Sequence, residues 1–244
     1  MRLQRVLLDR RKALVYIGAC AVLAGCPRFT PLVPMPLAPG NRDSAVVWAG
    51  ATQPTSHKAI RFRWKYQDDD KHWGGRGQAR IAPPDSLRFD YVGPLGLGAG
   101  AAAVVGDSTI WADPEKNFRS LVPAVRMLWA GLGVVRPPRM DATVFRGGSP
   151  DSGRGRGSAF EIWRFVQGED TLDYRQTRSS PRVLEAEWRQ QGKVLARSRT
   201  QFDVRGMPAS ARIDFPEGRA RFELTVVSID TTAVFDPAIW RGRR

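Results

Sequence analysis

Residue types that commonly perform catalysis are scarce in this chain. Its 244 residues include two histidines and two cysteines. His57 stands apart, and His72 follows an acidic run at residues 68–70 that lacks the alternating ligands and terminal glutamate of a calcium loop. Residues 96–100 are rich in glycine but lack the spacing of a dinucleotide loop, and no Gly-x-Ser-x-Gly elbow is present. We therefore expect neither an enzyme nor a metal site, and no cofactor beyond a covalent lipid.

Cys26 is the residue for which the sequence most clearly predicts a chemical modification. A basic segment over residues 1–12 is followed by the apolar run Ala13–Gly25, which is too short to span a bilayer and is typical of a secretory signal. The run ends Leu-Ala-Gly-Cys, which resembles the bacterial lipobox, where the signal is cut before a cysteine that receives a diacylglyceryl group. We predict a lipoprotein signal peptide over residues 1–25 and lipidation of Cys26. The alternative is an ordinary signal peptide in which Cys26 falls by chance.

Proline dominates the segment after the cysteine. Five of the residues from Pro27 to Pro39 are proline, which excludes a helix and favours an extended chain. We interpret residues 26–43 as the lipidated cysteine and a proline-rich tether. The domain would then lie on a membrane without crossing it, with lipids as its first partner.

The charge balance is strongly basic. Lys and Arg number 38 against 24 Asp and Glu, a net charge of +14. The Gly153–Gly157 stretch resembles RNA-binding RGG segments. An exported lipoprotein meets little nucleic acid, so we expect anionic lipid headgroups rather than nucleic acid as the counter-charge.

The rest of the chain has the pattern of antiparallel β-structure. Apolar and cationic residues alternate without a break from Ile60 to Tyr66, which predicts a strand with one buried and one solvated face. Similar strands recur at short intervals, separated by turn signals. We predict a single domain over residues 44–244, with a mobile Gly/Ser-rich loop at residues 147–158.

One segment has helical rather than strand spacing. Leu121, Val125 and Leu128 recur on one face, together with Trp129. This spacing predicts one helix near residues 120–132, capped by Ser120, whose apolar face covers the sheet.

The order of these elements resembles the LolA/LolB-like lipoprotein-carrier superfamily. The resemblance rests on the strand and Pro-Leu-Gly turn at Ser86–Gly96, a following strand pair, the helix near 120–132, and the strand and Asp-Pro turn at Ala220–Trp240. It implies an α+β, mostly antiparallel fold: a half-open curved sheet, or unclosed barrel, covered by one or more helices. The long helix expected before the first strand is poorly supported here, with one short apolar stretch after a possible cap at Ser44.

The resemblance further implies an apolar cavity that takes acyl chains. The candidate lining residues are Phe62, Trp64, Phe89, Tyr91, Trp111, Leu128, Trp129, Trp163 and Phe222. It also implies an apolar loop that contacts the membrane, here Leu95 and Leu97.

Two functions remain open at this point. The first is a carrier or acceptor of lipid or lipoprotein acyl chains, anchored as a monomer at the periplasmic face of the outer membrane, with membrane lipids and either lipoprotein acyl chains or a periplasmic carrier as partners. The second is a structural or scaffolding envelope lipoprotein with a filled core. Pro27, in the place of the usual inner-membrane retention residue Asp, favours the outer membrane.

Overall fold

The computed structural model describes residues 32–33, 35–96, 98–122, 124–149, 159–178 and 180–241. The chain divides into two compact units, residues 1–34 and 35–244. All helices and strands described below belong to the second unit. The predicted signal peptide, Cys26, and residues 27–31 and 34 of the predicted tether lie outside the described residues.

Thirteen strands form one antiparallel sheet in the described part of the chain. The strands are β1 (Ala38–Pro39), β2 (Lys58–Gln67), β3 (His72–Ala82), β4 (Ser86–Val92), β5 (Gly100–Val105), β6 (Ser108–Asp113), β7 (Thr143–Ser149), β8 (Phe160–Gln167), β9 (Asp170–Thr177), β10 (Val183–Gln190), β11 (Lys193–Phe202), β12 (Pro208–Phe215) and β13 (Ala220–Asp230).

Two meanders build this sheet. Strands β2 to β6 form one and β7 to β13 the other, and they join where β13 pairs with β2. Strands β1 and β6 are the two edges, so the sheet stays open. The α+β, mostly antiparallel, unclosed-barrel fold class is therefore confirmed.

Alternation along the strands gives the sheet two different faces. In β2, Ile60, Phe62 and Trp64 are buried while Arg61 and Arg63 are exposed. Because side chains alternate across a strand, β2 contributes an apolar set to the inner face and a charged set to the outer face. The helices pack on the inner face.

In the described part of the chain, three helices and two short 3-10 helices accompany the sheet. They are α1 (Arg42–Gly50), α2 (Glu115–Leu121), α3 (Val125–Gly131) and the 3-10 helices Pro94–Gly96 and Pro237–Trp240. None of the described helices has the length and apolar character needed to cross a bilayer.

The single helix predicted over residues 120–132 is wrong, because the structure has two helices there. Val122 ends α2 with φ −133° and ψ 71°, and Ala124 is also extended. Pro123 explains the break, since the ring of a proline disfavours helical backbone at the preceding residue.

The domain begins earlier than the predicted boundary at residue 44. Ala38 and Pro39 pair with Arg146 and Phe145 of β7 at the sheet edge, a position where proline is tolerated. Helix α1 is capped by Asn41, whose side-chain oxygen accepts a 2.9 Å hydrogen bond from the Ser44 backbone. The cap predicted at Ser44 is thus three residues late, and the tether interpretation of residues 26–43 is wrong for residues 38–43.

The predicted mobile loop at 147–158 also needs correction at its start. Gly147, Gly148 and Ser149 continue β7 and pair with Ile162, Glu161 and Phe160 of β8. A Cβ at Gly147 would lie 2.5 Å from the Leu37 side chain, so glycine here permits close packing. Residues 150–158 lie outside the described part of the chain.

Candidate functional site

Five of the predicted cavity residues form one aromatic group on the inner face. Phe62 and Trp64 come from β2, Phe89 and Tyr91 from β4, and Phe222 from β13. Their ring centroids lie 5.1 Å apart for Phe62 and Phe89, 6.0 Å for Trp64 and Tyr91, and 6.3 Å for Phe89 and Phe222. All five are at most 5% exposed. The sequence therefore identified residues that the fold brings into contact.

Helix α3 covers another part of the inner face, against β10, β11 and β12. Leu128 and Trp129 are fully buried, as predicted for a helix face on the sheet. The Trp129 indole N–H donates a 2.7 Å hydrogen bond to the Gly106 carbonyl, and the Thr200 hydroxyl donates one of 2.7 Å to the Ala130 carbonyl. These two bonds attach α3 to the β5–β6 turn and to β11.

Trp163 belongs to a separate aromatic group. Its ring lies 5.8 Å from that of Trp48 of α1, and Trp48 lies 6.0 Å from Tyr174 of β9. The Tyr174 hydroxyl accepts a 3.3 Å hydrogen bond from the Arg136 backbone, and burial raises the Tyr174 pKa. Apart from Trp111, the predicted lining residues thus lie in two aromatic clusters and on α3.

Trp111 does not line the interior, contrary to the prediction. It lies opposite Ala103, which in turn lies opposite Arg88 of the outer face. The Arg88 guanidinium lies 5.3 Å from the Trp111 ring, whose indole N–H donates a 2.8 Å hydrogen bond to the Trp240 carbonyl. An irregularity at Ala103/Val104 changes the alternation of β6, and sequence spacing alone did not show it.

Several buried or partly buried aromatic residues were missed by the sequence reasoning, among them Phe118, Trp48 and Tyr174. Phe118 of α2 is 1% exposed and its ring lies 6.3 Å from Phe89. Trp48 lies on α1, a helix that the pattern supported poorly because its buried face consists of Ala45 and Ala49 while Val47 is 74% exposed. Val46 and Val47 are exposed, so the apolar pattern of the sequence indicated the wrong face of that helix.

The predicted membrane-contact loop follows β4. Leu95 lies in the 3-10 helix Pro94–Gly96, and Leu97 lies outside the described residues. A cavity of about 380 Å³ lies nearby, lined by Tyr91, Trp111, Ala99 and others. The Tyr91 hydroxyl is buried without a hydrogen-bond partner among the described residues, and desolvation raises the Tyr91 pKa.

The two histidines lie apart from each other, in packing and strand-pairing positions. His57 stacks on Phe235 with ring centroids 4.8 Å apart, and His72 begins β3 opposite Gln67. Within the described residues, no three His, Cys, Asp or Glu side chains are grouped so that they could hold a metal ion.

Solved structures share this architecture. A LolA superfamily protein from Nitrosomonas europaea aligns with a TM-score of 0.57 at 11% identity, covering 82% of this chain and 97% of that one. The chain has a LolA/LolB-like fold. No family model matches it, and no curated protein matches it.

Two further structures show the same LolA-like fold. An outer membrane lipoprotein-sorting protein domain from Vibrio parahaemolyticus aligns with a TM-score of 0.51 at 9% identity, covering 82% of this chain and 97% of its own. A DUF1329 family protein from Desulfovibrio piger gives 0.52 at 9% identity, with 81% and 95% covered. At these identities the likeness extends to the fold, and function has to be argued from the residues of this chain.

Proposed function

We propose that this protein is a non-catalytic, lipid-anchored envelope protein that binds lipid or lipoprotein acyl chains on the inner face of its sheet. The observation that supports this most is the aromatic group on β2, β4 and β13, which lies beneath helices in a LolA-like fold. Aromatic and aliphatic walls suit acyl chains because they remove apolar surface from water.

Entry of an acyl chain requires the interior to open. The rings of Phe89 and Phe118 lie 6.3 Å apart, and Trp129 is completely buried. Helix α2 or α3 must therefore move from the sheet before a chain can lie among these rings. Because α2 is a seven-residue helix between Pro114 and the extended Val122, it is the element that we propose to move.

Cys26 provides the proposed attachment to the membrane, at the periplasmic face of the outer membrane. Its lipid would hold the domain near the surface that supplies or receives acyl chains. One acyl chain gives marginal binding and two or three give stable anchoring. In this proposal the partner is membrane lipid, a lipoprotein or a periplasmic carrier, and the protein acts as a monomer.

Uptake of a fluorescent long-chain fatty acid tests acyl-chain binding. Residues 27–244 contain every described helix and strand, so a chain of that length serves as the sample. We expect saturable uptake with a change in tryptophan emission, and faster uptake in Phe118→Ala, which loosens the contact between α2 and the sheet. Val234→Ala is the control, because Val234 is 90% exposed and distant substitutions of this kind change little.

A filled-core scaffold is the second candidate, and the tight burial of the aromatic rings favours it. The interior side chains make the close contacts expected of an ordinary protein core. If neither the parent nor Phe118→Ala takes up the fatty acid while both remain folded, the scaffold function replaces acyl-chain binding.

A further inference from the structure

The outer face of the sheet carries many arginines, and most of them have acidic partners. On the strands from β8 to β13, arginines form ion pairs with acidic residues of the same or a neighbouring strand. The pairs are Arg164–Asp173, Arg189–Asp173, Arg197–Glu187, Arg199–Glu185, Arg212–Asp214 and Arg221–Asp214. This part of the outer face is internally neutralised.

Strands β2 and β3 differ from this pattern. Arg61, Arg63, Lys65 and Arg76 lie on the same face and are exposed, and we call these four residues the basic face. Arg63 lies directly opposite Arg76 in the strand register. Like charges in this position destabilise a sheet, and among the described residues neither guanidinium has an ion pair at 4.0 Å or less.

Acidic residues near the basic face compensate only its margins. Glu223 lies opposite Lys65. Hydrogen bonds from Thr232 lower the pKa of Asp230, and the Arg61 charge adds a smaller effect in the same direction. Asp90 is engaged by Arg80 at 2.6 Å and by Arg88 at 2.9 Å. The positive charge of Arg63 and Arg76 is therefore left for a partner outside the fold.

A shallow groove adjoins the two arginines. It has a volume of about 450 Å³ and is lined by Arg63, Arg76, Val92 and Val227 among others. Val227 is 62% exposed and stands at the irregularity between Val226 and Ser228, where the pairing with β2 shifts. Cations beside exposed aliphatic side chains match a surface that presents anionic groups above apolar chains.

We propose that the basic face docks on anionic phospholipid headgroups, with Arg63 and Arg76 as its central contacts. Four exposed cations spread over two strands suit a surface of many phosphates better than one enclosed anion. Each cation near an anionic bilayer contributes about 1 kcal/mol. The interaction goes beyond the proposed acyl-chain binding and does not depend on the interior opening, so either can fail without the other.

Vesicle co-sedimentation of residues 27–244 measures this docking. The vesicles contain phosphatidylcholine alone or phosphatidylcholine with phosphatidylglycerol. We expect binding to the anionic vesicles that weakens as salt increases. Two cations at about 1 kcal/mol each predict roughly 30-fold weaker binding in the double variant Arg63→Ala/Arg76→Ala.

The matched control is Arg199→Ala/Arg212→Ala. Arg199 and Arg212 also lie opposite each other on the outer face and are exposed, but each has an acidic partner. Both double variants remove the same net charge, so only a docking site at Arg63 and Arg76 distinguishes them. Thermal melting confirms that each variant is folded.

Three results would overturn the proposal. They are equal loss of binding in both double variants, which would indicate net charge alone; unchanged binding in Arg63→Ala/Arg76→Ala; and absence of binding by the parent chain. Binding of a single-stranded oligonucleotide without vesicle binding would assign the basic face to nucleic acid instead.

Discussion

Trp129→Phe tests how helix α3 is held on the sheet. The Trp129 indole N–H donates a 2.7 Å hydrogen bond to the Gly106 carbonyl, and the Arg136 guanidinium lies 5.1 Å from its ring. Phenylalanine keeps an aromatic ring but removes the donor and leaves a void. Loss of the donor costs about 1–3 kcal/mol, and the void and weaker cation–π contact bring the total to about 2–4 kcal/mol.

Urea and thermal unfolding of residues 27–244 measure this cost. At about 2–4 °C per kcal/mol, the expected fall in melting temperature is about 4–16 °C. Trp73→Phe is the control, because Trp73 is 50% exposed at the start of β3 and its replacement should change stability by less than about 0.5 kcal/mol. If Trp129→Phe is as stable as the control, α3 is not held through Trp129 and the reasoning about its attachment is refuted.

Three further outcomes are expected. Cys26→Ala should abolish incorporation of a metabolic acyl-chain label, and label retained in that variant would contradict lipidation at Cys26. Leu95→Glu should weaken vesicle binding of residues 27–244 with little change in melting temperature, whereas a large fall would place Leu95 in the core. Burial raises the Tyr174 pKa above that of an unfolded tyrosine, which is near 10. The neutral Tyr174 side chain therefore makes its full contribution to the free energy of unfolding below about pH 10, and this contribution is lost as the pH rises further. Tyr174→Phe should show a shallower loss above pH 10, and a parallel pH profile in parent and variant would contradict the buried hydroxyl.

The strands were predictable because their signal is local. Ile60–Tyr66 alternates strictly, and the structure places it in β2 with Phe62 and Trp64 buried. The same alternation identified Phe89 and Phe222, which meet in the interior. A period of two requires only that one face be buried, so it is visible before the partner strands are known.

Helix boundaries depended on contacts and backbone preferences that the apolar spacing does not contain. Leu121 and Val125 continue one helical spacing, but Pro123 forces Val122 out of the helical region. In α1 the fully buried residues are the alanines Ala45 and Ala49, so the helix carries little of the apolar periodicity that identifies a helix in a sequence. Because the helix was poorly supported by the sequence, Trp48 was not identified as part of the interior.

The candidate site was only partly predictable for a similar reason. Trp111 was assigned to the interior because it is aromatic, but the β5–β6 irregularity places it on the outer face beside Arg88. The sequence also could not show which outer-face arginines have acidic partners. Whether Arg63 faces an acid or Arg76 depends on the strand register, which a single sequence does not specify.

Native mass spectrometry of residues 27–244, purified without detergent, detects bound acyl chains without a probe and is the decisive test of acyl-chain binding. If the protein binds acyl chains, a fraction of it carries an added mass and releases a lipid with acyl chains on activation in the gas phase. A protein that shows its unliganded mass alone, even after incubation with phospholipid and long-chain fatty acid, would contradict acyl-chain binding.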